Sequence, residues 1–289
     1  MAILNFRIMK FAVKALSVAG VLLAGCTVLE ERNVCPCCLT VDFSAVDNGI
    51  REWQMWLFSQ EGEVIFKDTI YRRSYTSPYV VEVPRNSKVQ CLMWGNARGG
   101  TYVEEEFSMS TSLVKRDSVM SDSLFFYKDY ISTMGENSSF TVMPSKEFAT
   151  VDIYLQGWVG IDFDSEMKLV CASSGFYVNG EFYPGEVACN MQVFDLGDYY
   201  SHFRGRILRQ ADTENIMLSL RIWKLEINGS PGDTVVDMDI PIGRYLDENG
   251  YDIQSIDMQD ITIGVDYSYN RLLVKAEDWE ATYTLVEEI

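Results

Sequence analysis

The sequence contains a single histidine, His202, and this scarcity restricts the catalytic chemistry open to the chain. A Ser–His–Asp or Cys–His arrangement would depend on that one residue, and nothing near it resembles a positioned nucleophile. The Gly-x-Ser-x-Gly nucleophile elbow, the Gly-x-x-x-x-Gly-Lys-Ser/Thr phosphate loop and the Gly-x-Gly-x-x-Gly dinucleotide motif are all missing. We therefore expect no enzymatic activity and no cofactor.

Positive charge is also scarce. The chain has 24 Lys and Arg residues against 42 Asp and Glu residues, which gives a formal net charge of −18. An acidic surface repels the phosphates of nucleic acids and of anionic lipid head groups. We therefore exclude nucleic acids as partners, and we also exclude membrane surfaces that would be bound through a basic patch. The excess of acidic residues suits a soluble, exported protein.

The apolar run near the N-terminus is too short to span a bilayer, which takes about 20 apolar residues. It covers residues 15–25, follows three basic residues and ends in Leu23-Ala24-Gly25-Cys26. A small pair and a leucine before a cysteine is the recognition pattern of bacterial lipoprotein processing. The pattern predicts a signal peptide over 1–25, cleavage between Gly25 and Cys26, and a lipid on the Cys26 thiol. An uncleaved membrane helix or a buried helix are the alternatives.

Six further cysteines remain after Cys26, and export would place them where disulfides can form. Their even number permits complete pairing, but the connectivity cannot be read from the sequence. Cys35-Pro36-Cys37-Cys38 lacks the second ligand pair that a zinc site needs, so we expect no metal. The other three cysteines are Cys91, Cys171 and Cys189.

Strand-like alternation dominates the chain from Leu39 onward, and it restarts at Ala149–Leu155 after a seam near residues 143–146. Asn179-Gly180 predicts the clearest hairpin, with a tight primed turn. Short helices are predicted over 112–122 and 198–210. The two blocks of short strands predict an all-β fold of two tandem β-sandwiches. We expect a tether over 26–34, an N-terminal sandwich over 35–145 and a C-terminal sandwich over 146–289.

Two acidic pairs and six tryptophans are the remaining candidates for a metal, catalytic or sugar-binding site. Asp162-Phe163-Asp164 and Asp237-Met238-Asp239 each place two carboxylates on one strand face, which suits calcium, glycoside hydrolysis or a solvated acidic face. The tryptophans suit either core packing or a platform for sugars. Trp53 and Trp56 have opposite parity, so they cannot share one face of a regular strand. The six tryptophans of the sequence are Trp53, Trp56, Trp94, Trp158, Trp223 and Trp279.

Taken in order, several segments resemble the FimB-type fimbrial anchor lipoproteins of Bacteroidetes, including the equivalent anchor of the minor fimbria. These segments are the lipoprotein pattern with its tether, Cys35–Ser44, Met93-Trp94-Gly95-Asn96, and Ser121–Tyr127 before the seam. The resemblance covers essentially the whole chain. It implies two transthyretin-like β-sandwich domains, no catalysis, a lipid anchor in the outer membrane and a place at the base of a fimbria.

The same resemblance implies partners: fimbrial shaft subunits, and the membrane through the lipid on Cys26. Strand addition is the expected contact, because an unpaired strand edge pairs readily with another chain. Our hypothesis places it at Asp260–Tyr267 and Arg271–Ala276 (Arg271, Leu272, Leu273, Val274, Lys275 and Ala276), with the tail Thr282–Ile289. The rival interpretations are a surface glycan-binding lipoprotein, a secreted glycosidase and a tip adhesin of the same superfamily.

Overall fold

The computed structural model describes residues 35–47, 49–75, 78–85, 87–98, 101–103, 112–115, 120–156, 163–196, 200–266, 272–275 and 283–285. They form twenty strands, one short 3-10 helix (Arg72–Ser74) and one α-helix. The predicted all-β sandwich fold is confirmed. The first ten strands are β1 (Cys37–Asp42), β2 (Glu52–Phe58), β3 (Val64–Tyr71), β4 (Tyr79–Val83), β5 (Lys88–Gly95), β6 (Thr101–Val103), β7 (Ser112–Lys115), β8 (Phe125–Ser132), β9 (Asn137–Thr141) and β10 (Ser145–Lys146).

The other ten strands and the helix α1 (Ile242–Glu248) follow the predicted seam. The strands are β11 (Phe148–Gln156), β12 (Phe163–Tyr177), β13 (Phe182–Asn190), β14 (Gln192–Leu196), β15 (Tyr200–Leu208), β16 (Met217–Leu225), β17 (Pro231–Ile240), β18 (Ile261–Asp266), β19 (Leu272–Lys275) and β20 (Tyr283–Leu285).

The first sandwich packs the sheet β4-β1-β9 against the sheet β10-β8-β5-β2-β3. Alternate residues of β1 and β2 fill the space between them, as a period of two requires. Leu39 and Val41 contribute from β1, while Trp53, Met55 and Leu57 contribute from β2, and all five are buried.

The second sandwich packs the sheet β14-β15-β11-β18-β19-β20 against the sheet β17-β16-β12-β7-β6, with β13 paired to β12. Val151, Ile153 and Leu155 share the inward face of β11, as predicted, and lie in a core with Leu169 and Leu218. β6 and β7 precede the seam in sequence, but they extend a sheet of this second sandwich.

A third cluster of buried residues lies between the two sandwiches, and we call it the inter-sandwich cluster. It combines residues from β2, β5 and the loops of the first sandwich with residues from β11, β12 and β15. Its members are Trp56, Phe58, Leu92, Trp94, Ala97, Leu124, Phe148, Phe176, Val178 and Leu208.

The predicted helices are wrong wherever the structure describes them. Ser112–Lys115 is strand β7, and Tyr200–Leu208 is strand β15, which pairs with β11 over nine residues. β15 does alternate, but Gly205 occupies a position on its inward face. A Cβ at Gly205 would lie 2.8 Å from Leu169 Cδ1, so neighbouring side chains fill that space and the apolar periodicity is interrupted.

The Asn179-Gly180 hairpin is confirmed, but its turn differs from the prediction. The Gly180 N–H donates to the Tyr177 carbonyl over 2.9 Å, and the Tyr177 N–H donates to the Glu181 carbonyl over 2.7 Å. Gly180 alone in this loop has a positive φ, +88°. The connection is therefore a three-residue loop that ends in a left-handed glycine, rather than a two-residue primed turn.

Candidate functional site

The predicted lipidation and cleavage residues, Cys26 and Gly25, lie outside the described residues. The lipid anchor therefore stays a prediction. Among the described residues, no helix is long and apolar enough to cross a membrane.

The predicted partner strand lies toward one end of the six-stranded sheet of the second sandwich. Leu272–Lys275 is strand β19, whereas Arg271 and Ala276 fall outside the described residues. β18 runs parallel to β11, and β19 runs antiparallel to both β18 and β20. Both edges of β19 are thus already paired, and β20 is the last strand at this end among the residues that the structure describes.

The C-terminal strands follow one another at this end of the sheet. The described part of β19 pairs with β18 from Gly264↔Lys275 to Asp266↔Leu273. The described part of β20 pairs with β19 from Leu272↔Leu285 to Val274↔Tyr283. We call β18, β19 and β20 the C-terminal edge, and it is the candidate site for assembly.

The opposite end of the same sheet is strand β14, and it exposes two apolar side chains. Val193 is 53 % exposed and Phe194 is 61 % exposed. A bulge between Val193 and Asp195 interrupts the pairing of β14 with β15. Bulges of this kind turn a sheet edge away from regular pairing, so β14 is the less suitable of the two edges for an added strand.

His202 belongs to a cluster of side chains that reaches across neighbouring strands. Its Nε2 lies 2.7 Å from Asp152 Oδ1, and its ring stacks on Tyr154 with centroids 4.4 Å apart. Arg204 donates to both oxygens of Asp152 over 2.7 and 3.1 Å, and its guanidinium covers the Phe194 ring. Burial favours the protonated carboxyl, but the hydrogen bonds from Arg204 and His202 outweigh it and lower the pKa of Asp152. The cluster links β11, β14 and β15.

The four tryptophans that the structure describes do not form the sugar platform that the rival interpretation needs. Trp53, Trp56 and Trp94 are fully buried, so their faces are not accessible to a glycan. Trp158 and Trp279 lie outside the described residues. Trp223 is half-buried and lies beside Asp164 in the register of β12 with β16, so it remains available as a single aromatic contact.

The acidic pairs do not form a metal site within the described residues, where no three metal-ligating side chains converge. Asp162 lies outside those residues. Asp237 and Asp239 lie on β17, and Asp237 pairs with Arg221 at 3.3 Å between exposed side chains. The expected solvated acidic face accounts for this arrangement.

The cysteines of the described residues are not joined by disulfides. Cys37 points into the core of the first sandwich, whereas Cys38 is the next residue on the same strand and therefore faces the other side. The two thiols cannot bind one ion together. Burial raises the pKa of the Cys91 thiol and keeps it protonated and unreactive.

Two buried charged residues at the seam, Arg209 and Glu147, were not indicated by the sequence pattern. Arg209 Nε donates to Glu147 Oε2 over 2.7 Å, and both side chains are 8 % exposed. The guanidinium also donates to the carbonyl oxygens of Lys146, Ile253 and Ser255 over 2.6–2.7 Å. The only sequence signal was a charged residue beside a strand end, which is too common to be selective.

Asn96 joins the end of the Met93-Trp94-Gly95-Asn96 segment to two neighbouring loops. Its φ is +60°, a left-handed conformation that asparagine tolerates better than most residues. Its side chain accepts from the Arg51 N–H over 2.8 Å and donates to the carbonyls of Gly49 and Ser123 over 3.2 Å. At Gly95, a Cβ would lie 3.0 Å from Ile50 Cγ2. The segment closes β5 against two loops.

Neither a protein-family model nor a curated protein matches this sequence. Solved structures do match. The fimbrial anchor protein Mfa2 from Porphyromonas gingivalis is 10 % identical, with 86 % of this chain and 100 % of that chain covered and a TM-score of 0.64. The chain shares its fold with this fimbrial anchor.

Two other structures have the same fold. A Bacteroides thetaiotaomicron protein, provisionally described as polysaccharide-binding, is 15 % identical, with 87 % and 99 % of the two chains covered and a TM-score of 0.63. A protein from Bacteroides ovatus, provisionally described as an adhesin, is 8 % identical, with coverage of 87 % and 96 % and a TM-score of 0.61. At these identities the comparisons establish the fold and leave the function to be argued.

Proposed function

We propose that this chain is a FimB-type fimbrial anchor: a lipoprotein, not an enzyme, that holds the base of a fimbria in the outer membrane. The lipid on Cys26 would bind the membrane, and a fimbrial shaft subunit would bind the second sandwich. The shared fold with a fimbrial anchor supports this role. So does the lipoprotein pattern of the sequence.

The observation that carries the proposal is the arrangement of the C-terminal edge. β18, β19 and β20 follow one another at one end of the sheet, and β20 is the last strand there among the described residues. The segment that contains β19 and β20 would leave this edge and pair with the shaft subunit as an added strand. Removing that segment would therefore remove the contact.

Deletion of 271–289 tests this assignment. We expect the shortened lipoprotein to reach the cell surface while intact fimbriae are released into the medium, because the strand-addition contact is lost. The measurement is the ratio of cell-bound to released fimbriae in immunoblots of the two fractions. Thermal unfolding of the purified variant verifies that the rest of the chain still folds.

The matched control disrupts the other edge of the same sheet. Val193→Ser with Phe194→Ser removes the exposed apolar side chains of β14 and should leave fimbriae attached to the cells. Normal retention after deletion of 271–289, or release caused by the β14 variant alone, would contradict the assignment of the assembly edge.

Glycan binding is the second candidate function, and Trp223 is the observation that favours it. The half-buried indole lies beside Asp164 on β12, and aromatic rings next to carboxylates suit sugar recognition. A glycan array with the folded chain decides this case: binding that disappears in Trp223→Ala would support it. Immunogold labelling on intact fimbriae separates an anchor at the base from an adhesin at the tip.

A further inference from the structure

The neighbouring strands β2 and β5 of the sheet β10-β8-β5-β2-β3 are buried on both of their faces. Trp53 and Trp56 are fully buried although they leave β2 on opposite sides. Trp53 belongs to the core of the first sandwich, whereas Trp56 belongs to the inter-sandwich cluster. A sheet face that fully buries its large side chains against a second sandwich is packed like the interior of a single domain.

The tip of the β12–β13 hairpin inserts against the first sandwich. Trp94 Nε1 donates to the Val178 carbonyl over 3.1 Å, and this hydrogen bond is buried. Phe126 lies so close to the hairpin that a Cβ at Gly180 would be 2.5 Å from its Cε1. The Trp94 ring also lies 4.5 Å from the Phe126 ring and 5.1 Å from the Phe176 ring.

The first half of the chain also contributes strands to the second sandwich. β7, which precedes the seam, pairs with the end of β12 through Ser112↔Tyr177, Leu113↔Phe176 and Val114↔Gly175. β6 then pairs with β7 and extends the same sheet. The last residues of β12 therefore pair with a strand from the first half of the chain. The hairpin tip, which follows them in sequence, contacts the first sandwich.

We propose that these contacts form a two-way clasp, comprising β6, β7, residues 177–181 and the inter-sandwich cluster, which makes the two sandwiches one cooperative folding unit. Each sandwich is completed by a segment from the other half of the chain. Separating them would expose Trp56, Trp94 and Phe176 and leave the Val178 carbonyl without its donor. The sandwiches consequently open together and do not hinge.

This coupling has a mechanical consequence that rests on the proposed function. In a fimbrial anchor, tension between Cys26 and the C-terminal edge would cross the clasp, and a rigid clasp would hold that edge at a constant orientation to the membrane. The coupling itself does not depend on that role. It is measured on the purified chain, whereas anchoring is measured on cells.

Native-state hydrogen exchange on the full chain tests the clasp. In low denaturant, the slowest-exchanging peptides of β5 and β16 should report the same global opening, with equilibrium constants that agree within about threefold. Opening constants that differ by more than about tenfold between the two sandwiches would overturn the proposal.

A matched pair of tryptophan variants sharpens the test. Trp53→Leu damages the core of the first sandwich alone, but the clasp should transmit the loss, so exchange accelerates equally in both sandwiches. Trp94→Leu removes the donor to Val178 and should separate the two exchange rates. Faster exchange confined to the first sandwich in Trp53→Leu contradicts the clasp, whether or not Trp94→Leu folds.

Discussion

Replacing Arg209 by methionine should lower the free energy of unfolding by about 3–5 kcal/mol, because one partner of a buried ion pair is removed. Glu147, only 8 % exposed, would be left without its guanidinium. The carbonyl oxygens of Lys146, Ile253 and Ser255 would lose their donors at the same time. Urea unfolding followed by tryptophan fluorescence measures the loss.

Arg244 supplies the matched control for this prediction. It forms an i,i+4 ion pair with Glu248 on α1, but its side chain is 74 % exposed. Arg244→Met should therefore leave the free energy of unfolding almost unchanged, because solvent screens an exposed ion pair. Adding Glu147→Gln to Arg209→Met should recover part of the loss, since no buried charge then stays unpaired. A loss below about 1 kcal/mol for Arg209→Met would contradict this account of the seam.

Cys26→Ser should move nearly all of the protein from the membrane fraction to the soluble fraction. Each buried methylene of an acyl chain contributes about 0.8 kcal/mol to membrane binding, so a lipid with several chains dominates the attachment. Fractionation followed by immunoblotting measures the change, and the unprocessed precursor should also migrate more slowly.

Cys35→Ser is the control, because Cys35 is an exposed thiol outside the lipoprotein pattern. It should leave the protein in the membrane fraction. A Cys26→Ser protein that still sediments with membranes would show that another segment provides the attachment, and the lipoprotein prediction would then be wrong.

Alternation in the sequence was sufficient to predict most of the described strands. Leu39 and Val41, or Val151, Ile153 and Leu155, face one core, and every second residue between them is polar or aromatic. It failed for β15, where Gly205 takes an inward position because Leu169 fills the space that a side chain would occupy. Local pattern cannot show such a contact, since its two residues lie in different strands.

The opposite parity of Trp53 and Trp56 was correctly read as two different faces. What could not be predicted was that both faces are buried, because Phe176 and Leu208, which cover the second face, lie more than a hundred residues further along the chain. The arrangement of the C-terminal edge could not be predicted from the sequence for the same reason. The sequence indicated strands near Ile261–Asp266 and Leu272–Lys275, but their order beside β11 depends on pairing between distant segments.

Affinity purification of the tagged, lipidated chain from detergent-solubilised cells tests the central claim most directly. The account predicts that polymerised fimbrial subunits copurify with the full chain and are absent from the preparation of the variant that lacks 271–289. A full chain that is purified from fimbriated cells without any fimbrial subunit would contradict it.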